Sequence, residues 1–210
     1  MAIDEALLHA APRLEAPVWR FYSWQEKAAS FGYFQRYAHV EELTHLRPLV
    51  RRPTGGGLVP HEADWTYSLV IPKGHRWYEL SAVESYRKVH EWIKAAFKKT
   101  GIPTELAPAA HRAGPGQCFV GYERSDVLWN GLKIAGAAQR RTRDGLLIQG
   151  SVQPGLIKLE RKDFEGAVIS LGREFLQCQK KTFELDDPLL EEVRRLLERK
   201  YSDEGYHRKR

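Results

Sequence analysis

The chain is poor in the features that build disulfide-rich, zinc-stabilised and membrane proteins. It has two cysteines, Cys118 and Cys178, which lie far apart and form no Cys-x-x-Cys pair. A disulfide framework or a structural zinc site is therefore not expected. No run approaches the roughly 18 consecutive apolar residues of a membrane-spanning helix, and the first residues carry neither the basic nor the apolar region of a secretory signal. Together these absences predict a cytoplasmic protein with no membrane contact.

The charge of the chain is only mildly one-sided. Its 210 residues include 33 Lys and Arg and 27 Asp and Glu, which gives a formal net charge of +6. The basic residues form separate clusters, such as Arg51 with Arg52 and Arg140 with Arg141, whereas a nucleic-acid-binding protein carries a continuous basic footprint. The charge therefore predicts no nucleic-acid partner and favours acidic protein partners.

The chain also lacks internal repeats and Ser/Gly-rich linkers. We therefore expect residues 1–210 to form a single domain that acts as a monomer. Helices are predicted over about 163–200, in two segments at 163–181 and 188–200, with Asp187 as the N-cap of the second. A basic tail at 203–210 is expected to follow.

Periodic patterns predict the elements of the first half. Residues 2–11 predict a short helix, and residues 18–22 have the composition of a strand. Apolar residues alternate with polar ones over 65–71, which predicts a half-buried strand. Ser-Ala-Val-Glu at 81–84 is a capping box that opens a helix ending at Gly101. This helix is predicted to bury one apolar face, formed by Val83, Tyr86, Val89, Ile93 and Phe97.

Two turn signals predict a three-stranded meander in the second half. Asn130-Gly131 separates residues 126–129 from 132–139, and Asp144-Gly145 separates 138–142 from 146–152. With the helices on either side, this order of elements predicts an α/β (α+β) fold in which a mixed or antiparallel central sheet is flanked by helices.

Three consecutive glycines form the most unusual segment. They stand after Arg51 and Arg52 and before His61 in this order: Arg51, Arg52, Pro53, Thr54, Gly55, Gly56, Gly57. A backbone without side chains can lie against a ligand and direct its amides at a carbonyl or phosphate, and two arginines can hold an anion. A flexible connecting loop explains the glycines equally well. Neither a Walker loop nor a Rossmann fingerprint is present.

The strand after Asn130-Gly131 carries a lysine among small residues. Strand alternation puts Lys133, Ala135 and Ala137 on one face, where the small side chains leave room for a ligand. From the residues alone, other interpretations remain open. Lys133 is also compatible with a solvated hairpin charge, and Cys118 with a small buried residue.

Four blocks in sequence order resemble the catalytic domain of the biotin/lipoate protein ligase family, in its branch of lipoate ligases and octanoyltransferases. They cover about residues 1–152 and are Met-Ala-Ile-Asp-Glu-Ala-Leu-Leu at 1–8, Ser-Phe-Gly-Tyr-Phe-Gln at 30–35, the arginine and glycine block with His61 at 51–61, and residues 118–151. The resemblance implies a fold similar to that of class II aminoacyl-tRNA synthetase catalytic domains. It also implies that the glycine loop and the lysine strand flank a tunnel for an eight-carbon acyl chain.

The same resemblance implies roles for individual residues. Lys133 is expected to hold the acyl carbonyl oxygen and stabilise the charge that develops there. Contacts with the acyl group are expected from Arg51, Arg52, Thr54, Gly55, Gly56, Gly57, His61, Ala135, Gly136 and Ala137.

Two chemistries occur in this family. A lipoate ligase activates free lipoate with ATP and Mg²⁺ through an acyl-adenylate, whereas an octanoyltransferase takes octanoate from acyl carrier protein through a cysteine thioester and needs no cofactor. Cys118, followed by Phe119, resembles the Cys-Phe element of one cysteine-dependent octanoyltransferase branch. It favours a transferase in which Cys118 is the nucleophile. The expected acceptor is the lysine of a lipoyl domain or of a glycine-cleavage H protein.

Departures from the family pattern keep the alternatives open. Asp126 stands where a ligase is expected to carry a metal-binding aspartate, and Gln149 replaces a frequent histidine in Gln-Gly-Ser. The strand that usually precedes the first block is expected to be absent or to lie upstream of Met1. The chain is expected to be too short for the separate C-terminal domain of lipoate ligases, which favours the transferase. A catalytically silent module that binds carrier proteins is a third hypothesis.

Overall fold

The structure, a computed structural model, describes residues 1–111, 119, 121–155 and 157–209. The described strands are β1 Val18–Tyr22, β2 Ala28–Phe31, β3 Leu49–Arg51, β4 Val59–His61, β5 Trp65–Pro72, β6 Glu105–Leu106, β7 Val127–Trp129, β8 Leu132–Arg141 and β9 Gly145–Val152. The α-helices are α1 Ala2–His9, α2 Tyr37–Leu43, α3 Ala82–Lys99, α4 Arg161–Leu176, α5 Asp187–Leu196 and α6 Glu204–Arg208. A π-helical turn, Leu197–Tyr201, follows α5.

The strands form a large and a small sheet. The large sheet has the order β1-β5-β9-β8-β7-β6, and its neighbouring strands are antiparallel throughout. The small sheet has the order β3-β2-β4, in which β2 is parallel to β3 and antiparallel to β4. The predicted fold class and the predicted meander of β7, β8 and β9 are confirmed.

Helices cover both faces of the large sheet. On one face α3 and α4 enclose the main core, which includes Tyr67 and Ile148. On the other face α1 and α5 pack against Val70 and Leu147. Strand β5 is therefore buried along its whole length, and the prediction of a half-buried strand was wrong. The polar side chains that suggested exposure are satisfied internally, because Ser68 donates a hydrogen bond to Asp4 on α1.

The two hairpin signals differ in how they work. Asn130 and Gly131 have φ values of 50° and 76°, as a two-residue hairpin turn requires. Gly145, in contrast, is already the first residue of β9 and lies outside the turn. A Cβ on Gly145 would lie 2.7 Å from the Cβ of Ala11 and 2.9 Å from the carbonyl oxygen of Ile71. Gly145 therefore allows β9 to pack closely against Ala11 and Ile71. The predicted position of the second hairpin is confirmed, but Gly145 does not form its turn.

The capping box of α3 is present, with Ser81 and Glu84 each accepting from the backbone amide of the other. The apolar face of this helix is shorter than predicted, because its first turn extends past the core and leaves Val83 exposed at 69%. Helix α4 ends at Leu176, before the predicted end at 181, since Gln177 adopts a left-handed conformation with φ 55°. The N-cap of α5 is Asp186 rather than Asp187.

The segment predicted as a basic tail contains helix α6, which packs against β3 and α2. The chain therefore returns after α5 to the small sheet, beside the arginine and glycine block. Within the described ranges, no helix is both long and apolar enough to cross a membrane.

Candidate active site

A cleft lies between the small sheet and one face of the large sheet. It contains about 440 Å³ of empty space, a figure that includes its open mouth. Five of the residues predicted to bind an acyl group or catalyse its transfer line it: Arg52, His61, Lys133, Gly136 and Ala137. Ser30, Gln149 and Ser151 supply further polar groups to its wall.

The glycine loop, residues 54–57, is held in place by hydrogen bonds from both sides. Arg52 donates through Nη2 to the carbonyl oxygens of Gly55 and Gly57, each at 2.8 Å. The Thr54 hydroxyl donates to Oε1 of Gln149 on β9, also at 2.8 Å. The loop is thus held in a defined position by Arg52 and Gln149, which line the cleft, whereas Thr54, Gly55, Gly56 and Gly57 are not among the lining residues.

The close approach of two loops explains part of the glycine requirement. Gly56 has a φ of 85°, a region that favours glycine. Gly32 lies so close that a Cβ on it would be 1.9 Å from the carbonyl oxygen of Gly56. Sequence reasoning quoted Gly32 within the block at 30–35 but assigned it no role. The sequence signal for this role was that Gly32 lies in one block of the family pattern and the three consecutive glycines lie in the following block.

The two adjacent arginines have different surroundings, because successive strand residues face opposite ways. Arg52 lies at the cleft and holds the glycine loop. The Arg51 guanidinium is fully buried and donates to the carbonyl oxygens of Tyr33, Gln35, Tyr206, His207 and Lys209 at 2.6–3.3 Å. Arg51 does not line the cleft; it joins the segment after β2 to the C-terminal helix α6.

Replacing Arg51 by lysine or alanine is expected to destabilise the protein. Lysine has three donors in place of the guanidinium's five, and each buried carbonyl that loses a charged donor costs free energy, so we expect a loss of about 3 kcal/mol or more. Urea unfolding of Arg51→Lys and Arg51→Ala measures it. Arg195→Ala, which removes an exposed arginine paired with Glu192, is the matched control and should leave the midpoint unchanged. A stable Arg51→Ala protein that no longer binds substrate would return Arg51 to an acyl-binding role.

Lys133 and Asp126 form a buried pair at the cleft. Lys133 Nζ lies 2.7 Å from Asp126 Oδ2, with side chains 7% and 0% exposed. The same Nζ lies 4.9 Å from the centre of the Phe119 ring. A Cβ on Gly136 would lie 2.6 Å from Lys133 Cε and 2.8 Å from its Nζ. Gly136 therefore provides the space in which the lysine side chain bends towards the cleft.

Strand alternation misplaced Ala135. The pairing of β7 with β8 shifts at a bulge, since Leu128 pairs with Lys133 while Val127 pairs with Ala135. The extra residue on β8 brings Lys133 to the same face as Gly136 and turns Ala135 into the main core, where it is fully buried. The prediction that Lys133 and Ala135 share one face was wrong, because a bulge changes the two-residue period.

The Asp126 carboxylate already has protein partners. In addition to Lys133, it accepts from the Tyr86 hydroxyl of α3 and, at 2.7 Å, from the backbone amide of Glu123. Burial and the Asp126 charge raise the pKa of Tyr86 well above its ordinary value, so the phenol stays protonated and donates. Across the ranges that the structure describes, no three His, Cys, Asp or Glu side chains group as metal ligands. Asp126 is arranged to orient Lys133.

His61 also lines the cleft, where it takes part in a chain of hydrogen bonds. Its Nδ1 lies 2.9 Å from Asp64 Oδ2, its Nε2 lies 2.7 Å from the Ser30 hydroxyl, and its ring stacks on Trp24. Burial lowers the pKa of His61 below its ordinary value, although the hydrogen bond with Asp64 opposes this. The sequence analysis singled out His61 but missed Ser30, whose contact depends on the pairing of β2 with β4, and Asp64, for which the signal was an aspartate only three residues after His61.

The first sequence block also contributes to the wall of the cleft. Asp4 is fully buried and accepts from Arg20, Ser68 and Gln149 at 2.7–2.8 Å. Gln149 in turn accepts from Thr54 of the glycine loop. The glutamine that stands in place of the family's frequent histidine therefore links α1 to the glycine loop.

The structure describes one of the two cysteines, Cys178. The predicted nucleophile, Cys118, lies outside the described residues. Its neighbour Phe119 lines the cleft beside Lys133. Cys178 follows α4 and packs, partly exposed, against the main core under the opposite face of the large sheet. Of the two cysteines, only Cys118 is adjacent in sequence to a residue of the cleft.

The chain is similar to proteins of known families. Residues 1–176 match the family model of the lipoyl protein ligase A/B catalytic domain. The chain is 34% identical to "Octanoyltransferase LipM" of Staphylococcus aureus, over 72% of this chain and 60% of that protein. It is 38% identical to the protein of the same name from Symbiobacterium thermophilum, over 72% and 59%. The chain thus spans about three fifths of the length of these curated relatives.

Solved structures resemble the fold over nearly the whole chain. A putative lipoate protein ligase of T. acidophilum with bound lipoic acid superposes with a TM-score of 0.81 at 18% identity, covering 99% of this chain and 92% of that one. A lipoate-protein ligase A bound with ATP gives a TM-score of 0.80 at 18% identity with the same coverage. At this identity the similarity establishes the fold alone.

Proposed function

Since the chain belongs to the lipoyl protein ligase A/B catalytic domain family, we propose that it is an acyltransferase that octanoylates lysine residues of other proteins. Cys118 is the nucleophile and Lys133 stabilises the acyl carbonyl. In this proposal residues 1–210 act as one catalytic domain. The relatives described as octanoyltransferases, at 33–38% identity, support this activity over the others of the family.

The reaction has two steps. The Cys118 thiolate attacks the carbonyl of an octanoyl thioester, the donor's carbon–sulfur bond breaks, and the donor thiol leaves with a proton. An acceptor lysine, as the free amine, then attacks the octanoyl–Cys118 thioester, and the thiol of Cys118 is released as the amide forms. Both steps pass through a tetrahedral oxyanion, which a cation held in a fixed position stabilises strongly.

The geometry of Lys133 is the observation that carries the proposal. Its side chain is 7% exposed, and its ammonium group pairs with Asp126 and lies beside Phe119, the residue that follows Cys118. A lysine of this kind is a poor candidate for a solvated hairpin charge, because burial of an unused ammonium is costly. Near Cys118 it would also favour the thiolate.

The ligase is the second candidate, favoured by one observation: a protein of the same fold is described as bound with ATP. In this alternative ATP and Mg²⁺ are required, and Asp126 is freed to hold the metal. The pairing of Asp126 with Lys133, Tyr86 and Glu123 favours the transferase, which needs no cofactor. A silent carrier-binding module does not require a buried, oriented lysine.

The partners follow from the proposed chemistry. The donor is octanoyl-acyl carrier protein, and the acceptor is a lipoyl domain or a glycine-cleavage H protein. An archaeal protein of similar fold, with a TM-score of 0.74 at 19% identity, is described as a bi-partite lipoate protein ligase with its E2 lipoyl domain. That description supports an acceptor of this type.

Intact mass spectrometry with octanoyl-carrier protein tests the proposal. Without ATP, the wild-type protein is expected to gain the mass of one octanoyl group, and hydroxylamine should remove it because thioesters are cleaved by this nucleophile. Adding a lipoyl domain should move the group to the acceptor lysine as a hydroxylamine-resistant amide. Modification of the acceptor that requires ATP, Mg²⁺ and free acid, with no acylated enzyme, would establish the ligase instead.

A further inference from the structure

A chain of hydrogen bonds runs along the wall of the cleft and ends at the glycine loop. Asp64 Oδ2 accepts from Thr66 and Ser151 as well as from His61, and its side chain is 3% exposed. His61 contacts Ser30, and Ser30 accepts at 2.9 Å from Nη1 of Arg52. Asp64 contacts His61 and Thr66 from two or three positions away along the chain, whereas the contacts of Ser151 with Asp64 and of Ser30 with His61 depend on the folding of β2, β4 and β9.

The direction of each hydrogen bond is fixed by the groups at the two ends. The Asp64 carboxylate can only accept, so Nδ1 of His61 carries the proton and donates. Nε2 of the neutral ring is then an acceptor, and the Ser30 hydroxyl donates to it. The lone pairs of Ser30 are thereby turned to Arg52, which can only donate. All three bonds point from Arg52 towards Asp64.

The second nitrogen of Arg52 holds the glycine loop. Nη2 donates to the carbonyls of Gly55 and Gly57, each at 2.8 Å. The planar guanidinium couples its two ends, because its donors keep a fixed relative geometry. An Arg52 that is anchored by Ser30 therefore sets the position of the loop carbonyls.

We propose that Ser30, His61 and Asp64 form a positioning relay that orients Arg52 and thereby fixes the glycine loop for acyl binding, and that protonation of His61 releases the loop. The relay rests on the proposed function in that the loop binds the acyl group. Its residues resemble the Ser-His-Asp arrangement of a nucleophilic triad. The Ser30 hydroxyl, however, accepts from a guanidinium, so its lone pairs are engaged with Arg52.

Protonation of His61 reverses one bond of the relay. The ring then donates from both nitrogens, and Ser30 has to accept from His61 and Arg52 together, which brings two cations to one hydroxyl. The charged groups that face the ring are Asp64, Arg52 and the α-amino group of Met1, and only the first favours the cation. Burial favours the neutral ring and lowers the pKa of His61 in the folded protein. The contribution of His61 to the free energy of unfolding is therefore complete above the unfolded-state pKa of 6.5 and is lost as the pH falls through the lower pKa of the folded state.

The test compares Ser30→Ala with Ser85→Ala. Ser85 is also a fully buried serine, but it bonds Gln139 and the start of α3. Ser30→Ala is expected to raise KM for the octanoyl donor by about tenfold, the effect of one hydrogen bond to a charged group, with little change in kcat. Amide hydrogen exchange of residues 54–57 should speed up by a similar factor. Wild-type KM should rise as pH falls through the pKa of His61 in the folded protein, which burial lowers below its ordinary value, whereas Ser30→Ala should have a high, flat profile. Ser85→Ala should match the wild type.

Several outcomes overturn the relay. Wild-type KM, exchange and pH profile in Ser30→Ala would show that Arg52 needs no anchor. An octanoyl ester on Ser30 in a Cys118→Ala protein would make Ser30 a nucleophile instead. If the wild-type protein transfers no octanoyl group, the proposed function fails, and amide exchange of the loop in Ser30→Ala still decides the relay by itself.

Discussion

Replacing Lys133 by methionine is expected to slow octanoyl transfer by about 10²–10³-fold, the usual effect of removing a donor that stabilises an oxyanion. Methionine keeps most of the side-chain volume but has no cation to hold the carbonyl oxygen. Both acyl-transfer steps should be affected, since both pass through an oxyanion. Single-turnover rates of thioester capture and of transfer to the acceptor lysine measure them separately.

The buried partner of Lys133 has to be controlled in this experiment. Removing the lysine alone leaves the fully buried Asp126 carboxylate with two hydrogen-bond donors among the described residues, Tyr86 and the Glu123 amide. Breaking a buried ion pair costs about 3–5 kcal/mol, so Lys133→Met should also lower stability. The double variant Lys133→Met/Asp126→Asn removes both charges and should recover much of that stability while staying inactive.

The Asp126→Asn variant separates positioning from catalysis. It retains the lysine but removes the carboxylate that orients it, so we expect an intermediate loss of rate. Urea unfolding, run beside the kinetics, shows which losses come from the fold. A stable double variant with the wild-type transfer rate would contradict the assignment of Lys133.

Replacing Cys118 by serine is expected to abolish thioester capture completely. A serine hydroxyl is a much weaker nucleophile than a thiolate at neutral pH. It would also form an oxygen ester, which is less reactive towards the acceptor amine. Intact mass spectrometry of Cys118→Ser with octanoyl-carrier protein should show no hydroxylamine-sensitive octanoyl group.

Cys178→Ser is the matched control for this substitution. Cys178 follows α4 and contacts the main core away from the cleft, so its serine variant should capture one octanoyl group as the wild type does. Lipoylation of an acceptor by Cys118→Ser in the presence of ATP and Mg²⁺ would overturn the transferase proposal in favour of the ligase. The cleft and the fold would be unaffected by that result.

Local sequence patterns determined a large part of the fold. The capping box of Ser81 and Glu84 and the Asn130-Gly131 turn depend on residues within a few positions of each other. The strand at Val18–Tyr22 was likewise evident from its composition. Such features form wherever their residues occur together, because their hydrogen bonds and backbone angles need no distant partner. The blocks that carry the family resemblance can likewise be recognised from the sequence alone.

Contacts between distant parts of the chain decided what the site residues do. The bulge between β7 and β8 put Ala135 in the core and Lys133 over Gly136. Arg51 and Arg52 are indistinguishable as a sequence pair, yet one holds α6 and the other holds the glycine loop. Similarly, Arg140 contacts Glu5 of α1, whereas Arg141 donates to the carbonyl of Leu80, so these two arginines do not form one basic surface.

The sequence by itself determined the family, the fold class and the segments that surround the cleft. Only the tertiary structure decided the direction and partner of each side chain, such as the alignment of Ser30, His61 and Asp64 behind Arg52. The physical reason is that a buried polar or charged group is stable only when its hydrogen bonds are satisfied. The groups that satisfy these come from strands and helices that meet only when the whole chain has folded.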